Sequence, residues 1–182
     1  MNNNKIEDKE IIQSLKRADT ISTKSKILRW VPSIIILPIC IYWVVNYRNY
    51  GLIDNVDLVI HEAGHIFFSL FGKFIYTLGG TLMQLIIPFI IVAYFFRNNY
   101  RTGVQFGLLW LGQNFINISV YAADARSQKL PLLGGKKVYH DWNYLLREIG
   151  LLNADVTIGN IFLGIAILIF LAAVLMPLIT QD

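Results

Sequence analysis

Long apolar runs, separated by short polar segments, dominate the sequence from residue 27 onward. Apolar residues are gathered into these runs instead of sharing each helix with charged residues, which is the pattern of helices solvated by lipid. The pattern predicts an all-α, polytopic membrane bundle of about five spans, at residues 27–47, 56–71, 78–96, 104–123 and 156–179. The second run is short for a full crossing, so we expect its helix to be sunk among the others.

The polar segments divide the chain into an arm, a membrane domain and a loop. In residues 1–26, basic residues are interleaved with Ile and Leu at roughly helical spacing, which predicts a cytoplasmic amphipathic arm, with a solvated tail as the alternative. Residues 27–182 are expected to form one membrane-embedded domain. Its loop at residues 124–155 carries Leu, Trp and Tyr between glycines and a proline, which indicates a compact cytoplasmic connection.

Composition and charge support a membrane protein. Hydrophobic residues make up 55% of the chain and charged residues 15%, whereas a typical soluble domain carries about 25% charged residues. With a cytoplasmic N-terminus and five spans, thirteen of the 16 Lys and Arg residues lie on cytoplasmic segments, as the positive-inside rule requires. The net charge of +4 is therefore interpreted as a topology signal, with no nucleic-acid partner.

Cysteine content and residue usage narrow the setting of the protein. The single cysteine, Cys40, lies inside an apolar run, which excludes a disulfide framework and a cysteine zinc cluster. Frequent Ile, Asn and Lys indicate a prokaryote, so we expect an integral, multi-pass protein of a prokaryotic cell membrane. The lipid bilayer is its first expected partner.

Two histidines four residues apart carry the candidate chemistry. His61 and His65 on one helix project from the same face, so both imidazoles can reach one metal ion. Glu62 lies beside such a metal and can exchange a proton with water bound to it, as in the metalloprotease pattern His-Glu-x-x-His. Ionisable groups within an apolar helix are costly and normally functional. We therefore expect a Zn²⁺ site with Glu62 as the catalytic residue.

A catalytic zinc ion usually takes three protein ligands, so a third must come from elsewhere in the chain. Asp124 is the first candidate, because it ends the fourth apolar run and follows a series of polar residues on that helix. His140 is the alternative, and its neighbour Asp141 is a candidate supporting or gating carboxylate.

The motifs resemble those of the site-2 protease class of intramembrane zinc metalloproteases. The histidine motif of residues 61–65 is followed by Gly80-Thr81-Leu82-Met83-Gln84 and, in a later run, by Asn117 through Asp124. The first stretch keeps the spacing of the family's Gly-Pro-x-x-Asn motif, with Thr81 in place of proline. The second approximates the family's Asn-x-x-Pro-x-x-x-Leu-Asp-Gly motif, one residue shorter and without the proline and the final glycine.

The resemblance implies a function and a set of roles. It implies zinc on His61, His65 and Asp124, peptide-bond hydrolysis in or near the membrane, and a membrane-protein or peptide substrate. Gln84 and Asn117 would then hydrogen-bond the substrate strand or the developing oxyanion, although hydrogen bonds between helices are an equal alternative. The chain could also assemble as a homo-oligomer.

Two other functions stay open at the level of sequence. Zinc-activated water does not choose its electrophile, so a membrane hydrolase with a non-peptide substrate fits the same residues. The chain could instead be a non-catalytic scaffold or partner-binding subunit, in which a structural zinc ion or a polar cluster joins the helices. Structural sites usually have four ligands, so the number of ligands distinguishes this alternative from an enzyme.

Overall fold

The computed structural model describes residues 26–131 and 139–179, which form helices and connecting turns without a strand among them. The helices are α1 (Val31–Val45), α2 (Leu52–Phe67), α3 (Gly72–Arg97), α4 (Arg101–Ala123), α5 (Asp141–Glu148) and α6 (Asp155–Ile179). One-turn 3₁₀ helices, Ser69–Phe71 and Leu152–Ala154, lead into α3 and α6. The predicted all-helical fold is confirmed for these residues.

All five predicted runs coincide with helices, and three of these helices are long and apolar enough to cross a membrane: Lys26–Val45, Ser69–Arg97 and Leu152–Ile179. The other two, α2 and α4, carry polar residues along one face. Their placement as membrane spans, and with it the count of five, stays a prediction. The predicted amphipathic arm lies outside the described residues except for Lys26.

Local signals in the sequence explain where the helices begin and turn. The Asp54 carboxylate accepts a hydrogen bond from the Gly51 backbone N–H at 2.6 Å and so caps the start of α2. Gly72 has a φ of +82° at the reversal between α2 and α3, a conformation that costs glycine little. Asn99, with a φ of +53°, makes the turn between α3 and α4.

Helix α4 lies at the centre of the bundle. It packs along α6 and against α3, while α2 packs against α3 and α1 against both α6 and α4. One apolar cluster joins α1, α4 and α6 through Ile36, Cys40, Leu109, Ile116, Ala166, Phe170 and Ala173. A second cluster of Ile118, Ala122, Ala125, Trp142 and Leu146 fixes the short helix α5 against the end of α4.

The distribution of polarity is reversed relative to that of a water-soluble bundle. Large apolar side chains are exposed on the outer faces, for example Val59, Ile66 and Leu168. Buried polar residues lie between the helices: Asp57, His61, His65, Thr81, Gln84, Gln105, Gln113, Asn114 and Ser119. A polar interior under an apolar surface suits a protein whose outer faces contact lipid.

Small residues allow α2 and α3 to come into backbone contact. A Cβ atom added at Gly64 would collide with the Gly79 carbonyl oxygen, and one at Gly79 would lie 2.8 Å from the Gly64 oxygen. Glycine at such a crossing lets two helices approach more closely than any side chain permits. The approach brings the histidine face of α2 against α3.

Substitution at this crossing should destabilise the protein. Gly64→Ala is expected to lower the free energy of unfolding by about 1–3 kcal/mol, since the methyl group has to displace backbone. Gly164→Ala is the matched control, because a Cβ atom there has nothing within 4 Å. Thermal unfolding in detergent measures both. Equal midpoints for the two variants would contradict the close contact.

Candidate metal centre

The two motif histidines are buried side by side on the inner face of α2. His61 is 5% exposed and His65 is 8% exposed, and their ring centroids lie 4.8 Å apart. The ring of His61 rests against the backbone of α3 at Gly80, where an added Cβ atom would collide with the imidazole. The absence of a side chain at Gly80 therefore makes room for His61.

A carboxylate from the start of α5 completes the cluster. Asp141 Oδ2 lies 2.9 Å from His61 Nε2 and 3.3 Å from His65 Nε2. The three ligand atoms, one from each residue, lie within 4.8 Å of one another. In the described part of the chain, these three residues are the one group of His, Cys, Asp and Glu side chains that could hold a metal ion.

The protonation state of His61 follows from a chain of hydrogen bonds that begins at Asp54. A carboxylate can only accept, so the Asn117 Nδ2 amide donates to Asp54 Oδ1 at 3.0 Å. Asn117 Oδ1 then accepts from Gln84 Nε2 at 3.1 Å, which leaves Gln84 Oε1 facing His61 Nδ1 at 2.9 Å. His61 Nδ1 has to be the donor, so Nε2 is the ring nitrogen that can bind a metal ion when the imidazole is neutral.

His65 is oriented in the same sense by the backbone of α3. Its Nδ1 atom lies 2.8 Å from the Tyr76 carbonyl oxygen, which can only accept, so Nδ1 carries a proton and Nε2 is the nitrogen that faces Asp141. Both histidines therefore present Nε2 toward Asp141. With protonated rings these atoms donate to its carboxylate, and with neutral rings they can bind a metal ion. Metal-binding histidines typically donate the second ring N–H to a carbonyl, amide or carboxylate in this manner.

Asp141 is held in place by α4 and by its own helix. The Tyr121 hydroxyl donates to Asp141 Oδ2 at 3.1 Å and accepts from the Asp141 backbone N–H at 3.1 Å. Lys73 lies over the ring of Tyr144, 4.5 Å from its centroid, and so ties α5 to α3. Burial raises the pKa of the Asp141 carboxyl, but hydrogen bonds from His61 and His65 outweigh it and lower that pKa to about 2. Asp141 is thus ionised at neutral pH.

Asp124, the predicted third ligand, is not a member of this group. Its carboxylate accepts hydrogen bonds from the Ser127 hydroxyl and from the backbone N–H groups of Lys129 and Leu130, the latter two at 3.0 and 2.9 Å. Burial raises the pKa of the Asp124 carboxyl, but these hydrogen bonds lower it by a larger amount, so the net shift is downward. As the residue after the last turn of α4, Asp124 turns toward its own loop, and Asp141 is the carboxylate that lies beside the two histidines.

His140, the alternative ligand, also lies outside the group. Its Nδ1 atom accepts from the Asn143 backbone N–H at 3.3 Å and caps the start of α5. Its Nε2 atom lies 3.5 Å from Asp124 Oδ2. His140 and Asp124 thereby hold the two ends of the loop together and position the neighbouring Asp141.

Glu62, the predicted catalytic residue, is exposed on α2 next to the cluster. Its charge acts on both His65 and Tyr121, which places the carboxylate near the cluster of His61, His65 and Asp141, although it is not a member of that cluster. Gln84 and Asn117, the predicted substrate-binding residues, instead bond to one another and to His61. Their contacts are those of the alternative hydrogen-bonding role between helices.

The sequence interpretation did not single out Asp54 or Tyr121. Asp54 precedes His61 by seven residues and therefore lies on the same helix face, which is the signal that identifies it. Tyr121 precedes Asp124 by three residues on the same polar face of α4. A hydroxyl group in that position is the signal that could have identified it as a hydrogen-bonding partner of the cluster.

The sequence matches no protein-family model, and comparisons with curated proteins and with solved structures likewise give no match. The chemistry of the cluster is accordingly inferred from its own residues.

Metal content should distinguish Asp141 from Asp124. Asp141→Ala is expected to lose bound metal as His65→Ala does, because each removes one of three ligand atoms. Asp124→Ala should keep about one metal ion per chain, since its carboxylate bonds to the loop. Elemental analysis of detergent-purified protein measures all three variants. Loss of metal from Asp124→Ala but not from Asp141→Ala would reverse the assignment.

The hydrogen-bond chain should contribute to metal affinity. Gln84→Leu removes the acceptor of His61 Nδ1 and is expected to weaken metal binding about 10–100-fold, as removal of such supporting partners does. Gln105→Leu is the control. Gln105 is also a buried glutamine, but it lies on α4 and bonds to Ser33 and Ala173, away from the histidines. Competition with a chelator measures both affinities. Equal affinities would show that Gln84 does not act on the metal site.

Proposed function

We propose that this protein is an intramembrane zinc hydrolase of the site-2 protease type, which cleaves a peptide bond in or near the membrane. The observation that carries the proposal is the common orientation of the two motif histidines. Each Nδ1–H is committed to an acceptor on α3, and each Nε2 faces the same Asp141 oxygen. A metal site requires this agreement, because only a ring nitrogen that faces the ion can bind it.

His61, His65 and Asp141 would hold the metal ion. Two imidazoles and one carboxylate form a common ligand set of catalytic zinc, and the set leaves a position for water. Zinc there would supply a Lewis acid and lower the pKa of its bound water toward 7. The buried surroundings of the histidines support the fit, because they keep competing water away from the ligand atoms.

Glu62 would carry the proton during hydrolysis. It follows His61 directly and is not among the ligand atoms, so its carboxylate is available to accept a proton and return it to the leaving amine. Its exposure gives access from outside the helix bundle. Tyr121 bonds to Asp141 and would hold that ligand in place while the proton moves.

The five-span arrangement belongs to the same proposal. With α2 and α4 as the second and fourth spans and the N-terminus in the cytoplasm, the loop that contains α5 is cytoplasmic. The basic residues then lie mainly on the cytoplasmic side. Asp141 would reach the histidines from that side, and a substrate segment would approach the exposed Glu62 face from the bilayer.

The decisive test compares wild-type protein with Glu62→Gln in cells. Wild type should generate new N-termini within or beside membrane segments of other proteins, detected by N-terminal peptide mapping of the membrane fraction. Glu62→Gln should retain about one zinc ion per chain but generate none of these termini, because it lacks the proton acceptor. His65→Ala, which lacks a ligand, serves as the inactive control for metal.

The alternative functions give different outcomes. Zinc bound equally in wild type and Glu62→Gln, with identical termini in both, would contradict the protease and favour the scaffold with a structural metal. Absence of any bound metal in wild type after zinc is supplied would reject the hydrolase altogether. A change in lipids or small metabolites that depends on Glu62, without new termini, would identify a hydrolase with a non-peptide substrate.

A further inference from the structure

A second polar centre lies between α2 and α4, around Asp57. The Asp57 side chain is fully buried, and its Oδ1 atom accepts a hydrogen bond from Trp110 Nε1 at 3.0 Å. Its Oδ2 atom is also buried, and no group in residues 26–131 or 139–179 donates a hydrogen bond to it. A buried carboxylate oxygen without a partner is costly, since burial removes the water that would otherwise solvate it.

Two amide oxygens next to Asp57 share this condition. Gln113 and Asn114 are 2% and 0% exposed, and their side chains lie close enough to Asp57 to act on its carboxylate by weak hydrogen bonding. Neither Gln113 Oε1 nor Asn114 Oδ1 receives a hydrogen bond from the described residues. Exchanging the amide N and O atoms of these side chains would only leave other groups without partners, because each nitrogen already donates a hydrogen bond. Gln113 Nε2 already donates to Asp54 Oδ1 at 2.9 Å, and Asn114 Nδ2 donates to the Trp110 carbonyl at 3.1 Å.

This centre contains two carboxyl groups and no basic side chain among the described residues. Asp54 lies one turn before Asp57 on α2, and within the described residues its carboxylate is bonded only to neutral N–H groups, those of Gly51, Gln113 and Asn117. Among the described residues, no Lys, Arg or His forms an ion pair with either aspartate. Two carboxylates between largely apolar helices are costly in free energy unless a positive charge balances them.

We propose that Asp57, Gln113 and Asn114 form a binding site for a small hard cation, either Na⁺ or a divalent ion such as Ca²⁺ or Mg²⁺. Carboxylate and amide oxygens are the ligands that these ions prefer, and all three unpartnered atoms are of this kind. A cation there joins α2 to α4 and balances the charge beside Asp54. The proposal does not depend on catalysis at the histidine site.

The rival explanation is a protonated Asp57, whose O–H group would donate to one of the two amide oxygens. The Asp57→Asn variant distinguishes the cation site from the protonated carboxyl group. Its amide N–H group can still donate that hydrogen bond, but the variant has no negative charge at this position. It would therefore leave a protonated centre intact and abolish a cation site.

The experiment measures thermal unfolding of the full chain in detergent, at equal ionic strength, with choline, Na⁺, or choline plus millimolar Ca²⁺ or Mg²⁺. One of these cations should raise the unfolding midpoint of the wild type by about 5 °C near saturation. Asp57→Asn should lose this response. Asp155→Asn, a buried aspartate that pairs with Arg126, should keep it. The responding salt identifies the ion.

The same measurement in a His65→Ala background separates this site from the histidine cluster, since the response should persist there. Equal midpoints in all salts, or a response that survives Asp57→Asn, would overturn the proposal. If Asp57→Asn does not fold, equilibrium dialysis of the His65→Ala protein against Na⁺, Ca²⁺ and Mg²⁺ decides the matter. Absence of binding of all three ions would then overturn the proposal.

Discussion

Each buried polar group between these helices has to find its partner within the protein, because neither apolar side chains nor lipid can supply one. This requirement connects groups that are far apart in the sequence. Asp54 can only accept hydrogen bonds, so it determines the orientation of Asn117, then that of Gln84, and finally the ring proton of His61. A carboxylate at the start of α2 thereby determines how a histidine two turns later can act.

The same requirement explains why glycine occurs where α2 meets α3. Hydrogen bonds between helices need short distances, and the contact between Gly64 and Gly79 provides them. Gly80 admits the His61 ring, and Tyr76 on the same helix supplies the carbonyl group that orients His65. Helix α3 therefore contributes to the cluster mainly through backbone and missing side chains, while its outer face remains apolar.

The positions of the helices could be predicted from the sequence because a run of apolar residues is a local property of one segment. The five runs and the shared face of His61 and His65 follow from spacing within one segment. The third candidate ligand does not, because Asp141 is 80 residues from His61 and reaches it through the packing of α5 against α4. Asp124 had the better position by sequence, yet the turn after α4 directs its carboxylate to Ser127, Lys129 and Leu130. A loop conformation of this kind depends on tertiary contacts that spacing does not encode.

The polar residues of α2 form one stripe, in which Asp54, Asp57, His61 and His65 follow one another at intervals of three or four residues. Exposed apolar residues such as Val59 and Ile66 occupy the opposite face. A helix with this division is more polar than an ordinary membrane span, but its neighbours α3 and α4 cover the stripe. Its stability in a bilayer would then depend on what the stripe holds, so a metal ion at the histidines and a cation at Asp57 would both help to keep α2 in place. Binding at either end of the stripe is thus expected to stabilise the same helix.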